Sequence, residues 1–318
     1  MGHRTAPAGP SAGDVLLSHL GGQVTRVRDQ EPRVRADRPD SVHAMRVATR
    51  RLRSALRTFQ PLLASPTRPL REDLRWLATE LGAARDAEVL RDRVVTAVAD
   101  LDQHHDLAAP QGTPGPGADA GGGRGAADVP AQVAAQLDSA YRAAHERVLE
   151  VLGSERYQRL LADLDELLAS PALTPRAGRR ATKVLPRHVA RVWRTLDDLV
   201  EQARRAPAGP ASDELLHEAR KAAKQVRYAA EAVADVHGSP ARRLAAAVTR
   251  VQEVLGEHQD SVLARQRLRD LARDATPEVA FVYGRLHAQE EARAVTGEAG
   301  LDEAWRAATK GRLHRWLR

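Results

Sequence analysis

Apolar residues recur along this chain at intervals of three and four positions, and no segment alternates with the period of a strand. Val15, Leu16, Leu20, Val24 and Val27 hold the helical spacing over a first helix from about Gly13 to Val34. Arg38-Pro39-Asp40-Ser41 interrupts it, with Asp40 or Ser41 placed to cap a second helix that ends near Leu63. Ser65-Pro66-Thr67 turns the chain into a third helix, from about Pro69 to His104. The period resumes over about Ala131–Leu152 and Glu155–Ala169, and Pro171 and Pro175 then break the chain ahead of a helix over Arg179–Arg204. Beyond Pro207 and Pro210, Ser212 or Asp213 is placed to cap a helix reaching about His237. Gly238-Ser239-Pro240 supplies a C-cap, an N-cap and a proline at the first helical position, opening a helix to about Asp274. Thr276-Pro277 opens another, and a last helix covers Leu301 to Trp316. The pattern predicts an all-α protein.

Two stretches lack the period. Residues 1–12 read as a disordered tail, and residues 106–130, which include PQGTPGPGADAGGGRGAADVP, read as a flexible linker. The helical part spans 13–318.

Composition adds direction to this picture. The formal net charge is +7 and the isoelectric point is near 10.3, so an acidic partner is expected. Lys183, Lys221, Lys224 and Lys310 are the only lysines, so the positive charge is nearly all arginine. The chain has no cysteine, which excludes disulfides and thiolate metal sites. No apolar run approaches the length of a membrane span or a secretory leader, so a cytoplasmic protein without a membrane partner is expected.

The charge is concentrated on helical faces. In the second helix His43, Arg46, Arg50, Arg53 and Arg57 share one face, while Val42, Met45, Leu52, Leu56 and Phe59 occupy the other. A like-charged face repels itself by about 0.2–0.5 kcal/mol per i,i+4 pair. Either acids on a neighbouring helix or an external anion must offset that cost. A second such face is His217, Arg220, Lys221, Lys224 and Arg227, and a third is Arg180, Lys183, Arg187, Arg191 and Arg194. A fourth basic run, Lys310, Arg312, His314, Arg315 and Arg318, closes the chain.

The first two faces are copies. At an ungapped offset of 174, His43 falls on His217, Arg46 on Arg220, Arg50 on Lys224 and Arg53 on Arg227. The same offset sets Leu81-Gly82 on Leu255-Gly256 and Asp86 on Asp260. With a small shift, His19 falls on His188. The repeat predicts a duplicated helical unit, with halves 13–172 and 173–318 packing as a pseudo-symmetric pair of antiparallel bundles. A glycine inside a helix costs about 1 kcal/mol against alanine, so Gly82 and Gly256 imply a close approach by another group. Asp86 and Asp260 are expected to pair with basic groups of their own halves and orient them, as outer carboxylates orient metal-bound histidines.

Guanidinium forks match phosphate oxygens, and ladders of them suit a ligand with repeated phosphates. Histidine adds a donor whose charge grows as pH falls. The chain contains no GxxxxGK[ST], GxGxxG, HExxH or GxSxG motif. No catalytic residue, cofactor or metal site is therefore expected. Two alternatives stay open: a nucleic-acid binder, disfavoured by an aromatic content of 3%, and an enzyme using the histidines as phospho-acceptors or metal ligands.

The stretch from His43 to Arg57, then Leu81-Gly82-Ala83-Ala84-Arg85-Asp86, His217 to Tyr228 and Leu255 to Asp260, closely resembles the CHAD domain, the conserved histidine α-helical domain. The resemblance implies two pseudo-symmetric four-helix bundles with a basic central surface. It implies binding of inorganic polyphosphate and association with polyphosphate granules. Carried onto this chain, it makes His43, Arg46, Arg50, Arg53, His217, Arg220, Lys224 and Arg227 the phosphate-contacting set, supported by Arg51, Arg57 and Lys221. Lys183, Arg187 and Arg191 of the third face complete the expected surface. Many members carry an N-terminal CYTH triphosphatase-like domain; 318 residues leave no room for one, so a stand-alone, non-catalytic member is expected.

Overall fold

A computed structural model describes residues 9–103, 129–207 and 209–318. Among the described residues there are eleven α-helices and no strand longer than an isolated bridge. They are α1 (Ala12–Arg35), α2 (Ser41–Thr58), α3 (Arg68–Gln103), α4 (Val129–Gly153), α5 (Glu155–Ala169), α6 (Ala181–Arg205), α7 (Pro210–Ala232), α8 (Ala234–His237), α9 (Ser239–Arg273), α10 (Pro277–Ala299) and α11 (Leu301–Ala308). The all-α reading holds. The expected linker at 106–130, apart from the first residues of α4, and residues 1–8 of the expected tail lie outside the described residues.

Several ends differ from the sequence reading, each for a local reason. Residues 9–12 are not tail. Ala12 N–H donates to the Arg179 carbonyl at 2.9 Å and Ala181 N–H to the Pro10 carbonyl at 3.0 Å, tying the start of α1 to the start of α6. Ser11 caps α1 with a reciprocal bond to Asp14. Asp40 does stand at the N-cap of α2, but in the left-handed region at φ 58° and without a side-chain cap bond. Neither Ser212 nor Asp213 caps α7, which starts earlier, at Pro210 behind Gly209. α2 stops at Thr58, where Gln60–Leu62 tightens into a 3-10 turn containing Pro61. α7 stops at Ala232, and the short α8 ends at Gly238, whose φ of +60° suits a residue without a Cβ. The final helix ends at Ala308, and two 3-10 turns, Gly311–Leu313 and Arg315–Leu317, finish the chain.

The chain divides into two compact units, and these cut across the sequence halves rather than coinciding with them. The first comprises Met1–Leu81, Leu149–Gly256 and Gly297–Arg318, and the second Gly82–Val148 and Glu257–Thr296. Each unit takes segments from both halves because α3 and α9, at 36 and 35 residues, run on past the duplicated Leu-Gly pairs. In the first unit α1 packs on α2, α6 on α7, α2 on α7 and α1 on α6. Its core is aliphatic, with Leu16, Leu20, Met45, Leu52, Leu56, Leu77 and Val189 each 2% exposed or less. The second unit is built on Val94 of α3, Val133 and Leu137 of α4, Leu268 of α9 and Val279, Val282, Tyr283 and Leu286 of α10.

Candidate functional site

The two basic helices that the offset of 174 aligns, α2 and α7, belong to the first unit and pack against one another. α2 buries Val42, Met45, Leu52 and Leu56, and this leaves its other face to His43 and Arg57, both exposed, and Arg46, Arg50 and Arg53, partly exposed. Arg53 is the electrostatic centre. Burial, and after it Arg75, Arg57, Arg50 and Arg71, push its guanidinium below the ordinary arginine range. Every charged group named among those causes is another arginine. Arg71 and Arg75 lie one turn apart on α3, and the sequence reading missed both. They stand beside Glu72 and Asp73, so no like-charged face marked them. Their i,i+4 spacing on α3 was the available signal. Glu72 is engaged with Arg68 at 2.7 Å and Asp73 with Arg156 at 2.7 Å. The Nε of Arg71 is buried without a hydrogen-bond partner among the described residues.

On α7 the arrangement is more mixed. Glu231 joins the two helices: it accepts from Arg51 at 2.7 Å and from Arg227 at 2.8 Å. Tyr228 lies under both guanidinium groups, 5.6 Å and 5.9 Å from its ring centre. Arg51 and Arg227 therefore fasten α2 to α7 as well as adding charge. Lys221 pairs with Glu218 at 2.6 Å on the exposed side. This corrects the reading of α7 as a uniformly like-charged face. His217 is partly exposed, and its Nδ1 is buried without a hydrogen-bond partner among the described residues. Lys224 is partly exposed on the same helix.

The expectation of a close approach at Gly256 is met. A Cβ there would lie 3.4 Å from the nearer guanidinium nitrogen of Arg220, so Arg220 of α7 rests directly on the bare backbone of α9. Gly82 is buried.

α6 supplies Lys183, Arg187 and Arg191 at four-residue intervals, all exposed. Arg191 donates to the Thr58 carbonyl at the end of α2, at 2.6 Å. Beside it opens a pocket of about 320 Å³ lined by Arg57, Gln60, Pro61, Arg191, Val192, Thr195 and Gln225. Gln225 donates to Thr58 Oγ1 at 3.2 Å, a second link between α7 and α2. Two histidines lie behind these helices. Burial first and Arg51 second lower His19 to about 4, and burial followed by Arg191 lowers His188 to about 4. Both are held neutral at pH 7, which keeps two further positive charges out of the arginine-rich unit.

In the C-terminal run Lys310, Arg312, Arg315 and Arg318 are exposed, while His314 turns inward. The His314 ring lies 4.2 Å from Trp193, centre to centre, and its Nε2 meets the Ala308 carbonyl at 2.8 Å. Trp193 stacks on Trp305 at 5.5 Å and the Trp316 ring lies tilted against His237 at 4.8 Å, so aromatic contacts seal this end of the unit. Asp86 and Asp260 are exposed residues of the second unit, on α3 and α9. Among the described residues no three His, Asp or Glu side chains cluster to hold a metal ion. No described helix is long and apolar enough to cross a membrane. Chemically, the first unit presents an array of fixed cations suited to a multivalent anion.

A protein-family model, the CHAD domain, matches residues 18–269. Among solved structures, PptA from Streptomyces chartreusis superposes with a TM-score of 0.71 at 25% identity, covering 93% of this chain and 99% of that one. The CHAD domain from the plant Ricinus communis superposes with a TM-score of 0.68 at 28% identity, covering 95% and 97%. The uncharacterized proteins MT2285 and Rv2226 of Mycobacterium tuberculosis are each 32% identical over 314 residues, 96% of this chain. The chain spans about half the length of these curated relatives, 55%.

Proposed function

The chain belongs to the CHAD domain family, and on that premise we propose that it is a non-catalytic binder of inorganic polyphosphate. The observation that carries this is the arginine cluster on α2 and α3. Arg53 is partly buried, and Arg50, Arg57, Arg71 and Arg75 all depress its proton affinity. An anion with several closely spaced charges removes that repulsion at once, and a chain of phosphates has such a spacing. The proposed surface runs along α2 through His43, Arg46, Arg50, Arg53 and Arg57, extends to Arg71 and Arg75, and takes in His217, Arg220 and Lys224 of α7 and Lys183, Arg187 and Arg191 of α6. Its aromatic residues, such as Tyr228, are buried under guanidinium groups. Among the described residues this surface has no exposed phenylalanine, tyrosine or tryptophan, so it offers phosphates good partners and nucleobases poor ones. In a cell the same chemistry draws the protein to polyphosphate granules.

Competition decides the reading. Labelled long-chain polyphosphate bound to the protein is challenged with unlabelled polyphosphate, RNA and duplex DNA, each at several salt concentrations. The expected result is displacement by polyphosphate at far lower phosphate concentration than by either nucleic acid, with an affinity that falls steeply as salt rises. Equal displacement by RNA overturns the proposal. So does shortening of the polyphosphate by the protein with Mg²⁺, which makes it an enzyme.

A further inference from the structure

The two places where α2 and α7 are joined are not equivalent. At one, Glu231 lies between Arg51 and Arg227 and closes the junction with a carboxylate. The repeat offset of 174 maps Arg51 onto Gln225 and Glu231 back onto Arg57. At this second place the carboxylate is thus exchanged for a guanidinium, and the junction stays open as the pocket of about 320 Å³. No acid lines it. Arg57 forms no ion pair among the described residues. Arg191 uses one donor on the Thr58 carbonyl, which aims its fork and leaves further N–H groups available. Pro61 and buried Val192 supply apolar wall. The ladder of α2 ends here too, because the helix stops at Thr58 and the turn Gln60–Leu62 carries no charge.

A polyphosphate chain offers two kinds of group. Internal phosphates carry two non-bridging oxygens and a single charge. The terminal phosphoryl carries three such oxygens and, like a phosphate monoester, between about one and a half and two charges at neutral pH. A row of arginines on one helix face suits the first kind. Two guanidinium forks arriving from different helices at one pocket suit the second. We propose that the Arg57–Arg191 pocket takes the terminal phosphoryl group of polyphosphate, with the chain then laid along Arg53 and Arg50. This rests on the polyphosphate reading and adds that the ligand is held by its end.

The test uses the full chain and long-chain polyphosphate in two forms, with free ends and with both terminal phosphates converted to alkyl phosphoramidates. Capping is expected to weaken binding to the unaltered protein about tenfold. Arg57→Gln, alone or with Arg191→Gln, is expected to weaken binding of the free form by a similar factor and to abolish the difference between forms. Arg53→Gln is expected to weaken both forms and keep the difference. Equal affinity of the unaltered protein for capped and free polyphosphate overturns end recognition and leaves the polyphosphate reading standing. Binding of neither form overturns both. A thermal midpoint of Arg57→Gln equal to that of the unaltered chain separates lost contact from lost fold.

Discussion

The second unit and the arginine cluster around Arg53 in the first use arginine in opposite ways. In the second unit the arginines meet acids: Arg93 reaches Glu290 at 2.7 Å, Arg265 reaches Glu291 at 3.5 Å, and Arg85 reaches Glu88 at 2.8 Å. Arg91 meets Asp92 and Asp138 and lies 4.5 Å over the ring of Tyr141. In the first unit the α2 and α3 arginines around Arg53 meet one another. Both sets come from the same arginine-rich sequence, and neither residue type nor net charge tells them apart. An acid within reach does. Where it is present, arginine contributes to the fold. Where it is missing, the folded chain holds repulsion that a ligand can relieve.

The strongest challenge to this contrast is Arg53→Gln/Arg57→Gln/Arg75→Gln. Loss of three charge-assisted contacts is expected to weaken polyphosphate binding about a thousandfold, equivalent to about 4 kcal/mol, in a calorimetric titration. The unfolding midpoint is expected to stay level or rise, since repulsion is removed. Next in size is Arg93→Gln. Its partner Glu290 is 4% exposed, so the variant is expected to lose about 3 kcal/mol in chemical denaturation while binding polyphosphate as before. If either variant shows the other's behaviour, the contrast fails.

A third test concerns the neutral histidines of the first unit. With folded values near 4 against an ordinary 6.5, His19 and His188 are protonated first in the unfolded chain. Their contribution is complete above pH 6.5 and is lost as pH falls through the window to 4. Denaturation at pH 7 and pH 4.5 is expected to show that His19→Gln/His188→Gln removes about 2 kcal/mol of the pH dependence, a figure already reduced for partial solvent access. An unchanged pH dependence would mean that both rings take up protons in the fold as readily as in the unfolded chain. The smallest effect is expected from Gly256→Ala. The added methyl group improves the helix by up to about 1 kcal/mol but meets Arg220 at 3.4 Å. Stability level or raised, with polyphosphate affinity down about threefold, would place Arg220 on the binding surface; unchanged affinity would remove it.

Much of this was legible from spacing alone. The helical period located most helices to within a few residues, because each buries one continuous apolar stripe. The common offset of His43 with His217 and of Gly82 with Gly256 singled out α2 and α7 as a pair. What escaped was set by contacts distant in sequence. Arg71 and Arg75 look like members of an ordinary mixed surface until Asp73 is seen to turn toward Arg156. The partner of Arg51 lies 180 residues away, and nothing local marks Glu231 as the carboxylate that fastens α2 to α7. At the C-terminus the missed contacts were aromatic: Leu313 and Leu317 are buried in the closing turns, and His314 meets Trp193, which lies far off in sequence.

The aromatic seal at the end of the first unit has a spectroscopic consequence. All four tryptophans, Trp76, Trp193, Trp305 and Trp316, belong to that unit, whereas the rings Tyr141 and Tyr283 belong to the second. Indole emission therefore follows the first unit alone, while helical ellipticity sums both. Melting the protein with the two signals recorded together separates the unit that holds the Arg53 cluster from the other, without a label or a truncation. Coincident curves mean one cooperative transition, and displaced curves give each unit its own stability.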